Sequence, residues 1–126
     1  MATIVFFSIP AQGHVHPTLG VVRELTARGH RVIYYSHEGF REKIRAAGGE
    51  FVGCESLDPT MRLTRQAGAR VGSDLALSTR VLVDTLLALD EPVCREMERL
   101  KPDCIVGDSM AVWAKTAAQK LGIPYV

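Results

Sequence analysis

Cysteine, charge of one sign and long apolar runs are all scarce in this chain, and each scarcity closes off a class of protein. The three cysteines, Cys54, Cys94 and Cys104, lie 40 and 10 positions apart. That spacing matches neither a zinc site nor an even-numbered disulfide framework, so they read as core thiols in a reducing compartment. Fifteen Lys and Arg stand against fourteen Asp and Glu, leaving a net charge of +1 with no basic cluster. Nucleic acid is therefore not an expected partner. The first apolar run ends at Ser8 and Pro10 and no basic segment precedes it, so neither a signal peptide nor a membrane span is expected, and the location is expected to be cytoplasmic. Internal repeats and low-complexity tracts are lacking too.

What is present is ordinary for a globular domain. Hydrophobic residues make up 47% of the 126 and charged residues 23%, which excludes a disordered or fibrous chain. A chain of this length can bury roughly two thirds of its unfolded surface around a single core.

Thr3-Ile4-Val5-Phe6-Phe7 is uncharged, β-branched and aromatic, as expected of a central strand covered on both faces of a parallel sheet. Leu19, Val22 and Leu25 then recur at helical spacing, predicting a helix from about Pro17 to Arg28 with Gly29 as its left-handed cap. Arg31-Val32-Ile33-Tyr34-Tyr35 is a second strand, followed by a helix with Phe40, Ile44 and Ala47 on its buried side and closed by Gly48 and Gly49. Phe51-Val52-Gly53-Cys54 is a short third strand. From Glu55 to Ser73 the hydrophobic period is lost. A segment of that length is usually functional or mobile, and its Arg62, Arg65 and Arg70 read as a solvated surface.

A long helix beginning near Leu75 carries Leu82, Val83, Leu86, Val93, Met97 and Leu100 on one face, and Pro92 should kink or split it. Cys104-Ile105-Val106-Gly107 is the fourth strand and Asp108 stands at its end. Met110 to Leu121 is the next helix, stopped by Gly122, and Ile123 to Val126 begins a fifth strand whose exposed edge could support self-association. Strands alternating with helices specify an α/β fold, a Rossmann-like doubly wound parallel sheet of order three, two, one, four, five.

The stretch Ile9-Pro10-Ala11-Gln12-Gly13-His14-Val15-His16-Pro17 leaves the carboxyl end of the first strand, where open α/β sheets bind ligands. It has one Gly where a dinucleotide fingerprint needs three, and it lacks the Lys-Ser or Lys-Thr ending of a P-loop. A nucleotide-dependent oxidoreductase is therefore disfavoured. His14 is a candidate general base, against the plainer reading of a loop histidine bonded to a carbonyl. Metal binding by His14 and His16 lacks a third ligand at suitable spacing. His30 and His37 read as ordinary polar residues. In the expected strand order the first and fourth strands are neighbours, so Asp108 can reach His14 and orient it; alone, Asp108 would equally serve as a helix cap.

These residues carry a resemblance. Ile9-Pro10-Ala11-Gln12-Gly13-His14-Val15-His16-Pro17-Thr18-Leu19, with the Arg23 to Val32 segment, Lys101 to Ser109 and Gly122-Ile123-Pro124, resembles the bacterial UDP-dependent glycosyltransferases of the macrolide glycosyltransferase type, which have the GT-B fold. The resemblance spans the chain and departs at His16, where the family usually has Asn. It implies that His14 deprotonates an acceptor hydroxyl, that Asp108 orients His14, and that the oxygen attacks the anomeric carbon of a UDP-sugar with inversion while UDP leaves. Gln12, Gly13 and Ser109 are the substrate-binding positions it implies, with no metal and no cofactor besides the donor.

Family members continue into a second domain that holds the donor, so the chain is expected to correspond to the N-terminal acceptor-binding portion, residues 1–126, and to be inactive by itself. The acceptor is expected to be an apolar small molecule with a free hydroxyl. The rival reading is an α/β small-molecule-binding module without catalysis.

Overall fold

The structure is a computed structural model that describes residues 1–9, 11–57 and 73–126. The order of elements is β1 (Thr3–Phe7), α1 (Gln12–Ala27), β2 (Arg31–Ser36), α2 (Arg41–Ala46), β3 (Glu50–Gly53), α3 (Leu75–Leu100), β4 (Cys104–Gly107) and α4 (Val112–Leu121), with short 3-10 turns at Glu38–Phe40 and Cys54–Ser56. The loop role expected for Glu55 to Ser73, with Arg62, Arg65 and Arg70, falls mostly outside the described residues.

The four strands are parallel and ordered β3-β2-β1-β4. Beyond β4, Tyr125 bridges Ile105 in parallel fashion, so the expected fifth position is occupied by the last residues of the chain. The pleat sends alternate side chains of each strand to opposite faces. Ile4 and Phe6 of β1 join Val32, Tyr34, Val15, Val22 and Ile44 in one cluster, beneath α1 and α2. Val5 and Phe7 join Ile33 and Tyr35 against Leu89, Val93 and Met97 of α3 and the small face of α4. A sheet covered on both sides in this way is doubly wound. Register adds to the packing of the central pair. Phe6 lies opposite Tyr34 and Phe7 opposite Tyr35, and both pairs stack, with centroids 5.4 and 4.7 Å apart.

Three expectations need correction. First, α1 begins at Gln12, five residues before Pro17. The Ala11 carbonyl accepts the N–H groups of His14 (3.0 Å) and Val15 (2.9 Å), closing the first turn ahead of the proline. The missing N–H of Pro17 then affects only the Gly13 carbonyl, a loss the open end of a helix tolerates. Second, Pro92 does not split α3, which continues through it as one helix of 26 residues. Third, its buried line is Leu89, Val93 and Met97, whereas Val83 is 47% exposed; the line follows the i, i+4 spacing, from which Val83 deviates.

The end of α1 follows expectation. Gly29 takes φ +86°, its N–H bonds the Thr26 carbonyl, and the His30 N–H bonds the Leu25 carbonyl. This double closure requires a left-handed residue and brings the chain straight into β2.

All three cysteines are free, and Cys54 alone is buried outright. Burial pushes its thiol up to about 12. Burial also raises Cys94 and Cys104, but these remain partly accessible. Only thiolate reacts with alkylating agents. At pH 8, iodoacetamide should therefore modify Cys94 and Cys104 well before Cys54 in the folded chain, and mass spectrometry of timed aliquots reads the order. Early labelling of Cys54 would contradict this packing.

Candidate active site

The site forms where β1 and β4 end side by side. Phe7 is in register with Gly107, and the Asp108 N–H continues the ladder to the Phe7 carbonyl at 3.1 Å. Gly107 has no side chain because Tyr125 lies across it: a Cβ there would run into the Tyr125 hydroxyl and ring. Burial and the nearby negative charge of Asp108 raise the Tyr125 phenol above its ordinary value.

Asp108 combines the two duties that sequence reading set against each other. Its Oδ1 accepts the N–H groups of Met110 (2.6 Å) and Ala111 (3.0 Å), forming the turn into α4. Its Oδ2 accepts the Ile9 N–H at 2.9 Å and faces His14 Nδ1 at 3.1 Å. An ionised carboxylate has acceptor capacity for all four contacts. Because this oxygen only accepts, Nδ1 of His14 must carry the hydrogen, and in a neutral ring Nε2 is then the bare, proton-accepting nitrogen.

His14 is the third residue of α1, within the first helical turn rather than ahead of it. Its side chain is 34% exposed and that of Asp108 13%. The carboxylate is thus largely shielded while the imidazole reaches solvent. No described residue hydrogen-bonds Nε2. An imidazole at the surface, held from behind by a shielded carboxylate, can take a proton from a hydroxyl brought to Nε2.

The other expected positions are less defined. Gln12 and Gly13 open α1 and are exposed, Ser109 is exposed in the turn after Asp108, and His16 is exposed. A Cβ at Gly13 would meet nothing within 4 Å, so that glycine leaves open space beside His14. Among the described residues no group of three or more His, Cys, Asp or Glu could hold a metal ion, and no helix is long and apolar enough to cross a membrane.

His37 departs from the expectation of an ordinary polar residue. It is 2% exposed, and its Nδ1 lies 2.6 Å from Glu55 Oε1. Its Nε2 is buried and has no hydrogen-bond partner among the described residues. The pairing arises from the parallel register of Ser36 with Gly53, which brings together residues 18 positions apart in sequence. No motif spacing announces it. His30 receives the Ala2 N–H on Nδ1 at 3.1 Å, an ordinary polar role.

No family model matches the chain. Its sequence is 36% identical over 126 residues to the oleandomycin glycosyltransferase of Streptomyces antibioticus, covering 99% of this chain and 28% of that protein. It is 33% identical over 124 residues to the NDP-glycosyltransferase YjiC of Bacillus subtilis (strain 168), covering 98% of this chain and 30% of the relative. Among solved structures, the glycotransferase of kitacinnamycin superposes with a TM-score of 0.78 at 29% identity, covering 98% of this chain and 29% of that one.

A parallel α/β sheet with a histidine and an aspartate at its carboxyl edge is thus related, by sequence and by fold, to glycosyltransferases of the GT-B fold. Within that class its relatives include the oleandomycin glycosyltransferase and, over 52 residues at 52% identity, the demethyllactenocin mycarosyltransferase of Streptomyces fradiae. The chain spans about three tenths of the length of the curated relatives it matches.

Proposed function

We propose that this chain is the acceptor-side portion of an inverting glycosyltransferase that moves a sugar from a UDP-sugar to a hydroxyl of an apolar small molecule. The observation that carries the reading is the His14–Asp108 contact, with Nδ1 turned to the carboxylate at 3.1 Å and Nε2 left without a described partner.

In this mechanism Nε2 takes the acceptor's hydroxyl proton as the oxygen attacks the anomeric carbon from the face opposite the UDP leaving group. One C–O bond forms as the other breaks, UDP departs with the electron pair, and Asp108 stabilises the imidazolium. Positioning matters as much as the base. Holding the hydroxyl and the anomeric carbon in attacking geometry can lower a barrier by roughly 7 to 11 kcal/mol, and the proposal assigns the donor's share of that positioning to a second domain. Gln12, Gly13 and Ser109, exposed around the dyad, are the positions from which the chain would contact its substrates.

The test joins this chain to the part of the Bacillus relative that lies outside the match. The fusion is assayed with UDP-glucose against a panel of phenolic and macrolide acceptors, and the product's anomeric configuration is read by NMR. Transfer with inversion is expected. A donor-binding fusion that transfers with retention, or transfers to none of the panel, would overturn the reading.

A further inference from the structure

Beneath the start of α1 runs a chain of hydroxyls that the proposed mechanism does not use. Ser8 Oγ lies 3.0 Å from the Tyr34 hydroxyl, which lies 2.7 Å from Thr18 Oγ1, and Thr18 Oγ1 donates to the Val15 carbonyl at 2.6 Å. The direction of every bond follows from the last. A carbonyl only accepts, so the single hydroxyl hydrogen of Thr18 is committed to Val15. Thr18 must then accept from Tyr34, and Tyr34 from Ser8. Ser8 is 4% exposed and Tyr34 fully buried. Burial holds the Tyr34 phenol above its ordinary value, so it remains a donor at any physiological pH.

The residues next to the two ends of this chain contact one carboxylate oxygen. Ser8 precedes Ile9, whose N–H binds Asp108 Oδ2. Val15 follows His14, whose Nδ1 faces that same Oδ2. Asp108, the strand end, the hydroxyls and the first turns of α1 therefore form one circuit, closed by these hydrogen bonds together with the covalent Ser8–Ile9 and His14–Val15 links. The circuit lies where the helix needs support: α1 has no side-chain cap at Ala11, and Pro17 leaves the Gly13 carbonyl without its usual donor.

We propose that Ser8, Tyr34 and Thr18 are positioning residues for His14, a buried hydroxyl clamp that fixes the first turns of α1 to the sheet so that Nδ1 meets Asp108. The inference rests on the reading of His14 as the base but concerns geometry that can be observed without catalysis.

The experiment is long-range 1H–15N correlation NMR of the histidine side chains in the 126-residue chain, with thermal unfolding as a check on folding. In the parent, His14 should show the well-separated nitrogen shifts of a single Nδ1–H tautomer. Tyr34→Phe keeps the ring stacked on Phe6 and removes only the hydroxyl; Thr18→Val removes the second link with little change of volume. Each should collapse the His14 pattern toward tautomer averaging while His30 is unchanged, and Thr18→Ser should restore it. If Tyr34→Phe does not fold, the Thr18→Val and Thr18→Ser pair at the partly buried end decides the matter. Folded variants with the parental His14 pattern would overturn the clamp and leave the base assignment standing. Full transfer by a His14→Ala fusion would overturn the base and leave the clamp standing.

Discussion

Replacing His14 by alanine in the fused enzyme should lower the turnover number by roughly a hundredfold to ten-thousandfold, the usual cost of losing a positioned general base. The fold should be little affected. The side chain is one-third exposed, and its only hydrogen bond among the described residues is to Asp108. Donor affinity should be unchanged, because the proton is removed from the acceptor. The check is a steady-state assay at saturating donor, beside calorimetry with UDP and a melting curve. A variant that keeps near-parental turnover while chemistry limits the rate would eliminate the role assigned to Nε2.

Asp108→Asn should be comparably damaging to rate and should also destabilise the chain. One of the two carboxylate oxygens becomes an NH2 group, yet each oxygen now accepts from two donors: Met110 and Ala111 at Oδ1, Ile9 and His14 at Oδ2. With the amide oxygen kept for the turn, the NH2 opposes the Ile9 N–H and the Nδ1–H of His14. The imidazole can relieve the second conflict by moving its proton to Nε2, and that is the tautomer unable to accept a proton from substrate. The Ile9 N–H cannot adjust. Leaving it without an acceptor should cost about 1 to 3 kcal/mol, seen as a lower urea midpoint. A rate loss without the stability loss would mean that Ile9 finds another partner; full activity would remove Asp108 from the mechanism.

Much of this architecture was legible in the chain. The uncharged run Thr3 to Phe7 and the β-branched core of Arg31 to Tyr35 could hardly be anything but covered parallel strands, and the glycines at 29, 48 and 122 all take the left-handed backbone that ends a helix. These are local effects: period, propensity and caps act within a few residues of one another. The meeting of His14 and Asp108 needed one further step, the rule of strand order, because 94 positions separate them.

Other features could not be read locally. Pro17 pointed to a helix start, but the first turn closes at Ala11, since a proline's missing N–H concerns only a carbonyl four residues back. Val83 matched a plausible periodic pattern, but the buried line of α3 is chosen by where the sheet lies. His37 resembled any polar residue at a strand end until the β2–β3 register set Glu55 beside it. Ser8, Thr18 and Tyr34 are unexceptional singly, and only their convergence makes a clamp.

The residue pattern by itself determined the element types, the winding of the sheet and the pairing of His14 with Asp108, because hydrophobic period, turn chemistry and strand order follow from near neighbours and handedness. The tertiary structure alone decided which ring nitrogen of His14 faces Asp108, how one Asp108 carboxylate serves both turn and imidazole, and which hydroxyls hold them there. Hydrogen-bond geometry depends on angstrom-scale distances between segments remote in sequence, and those are set only when both faces of the sheet are packed.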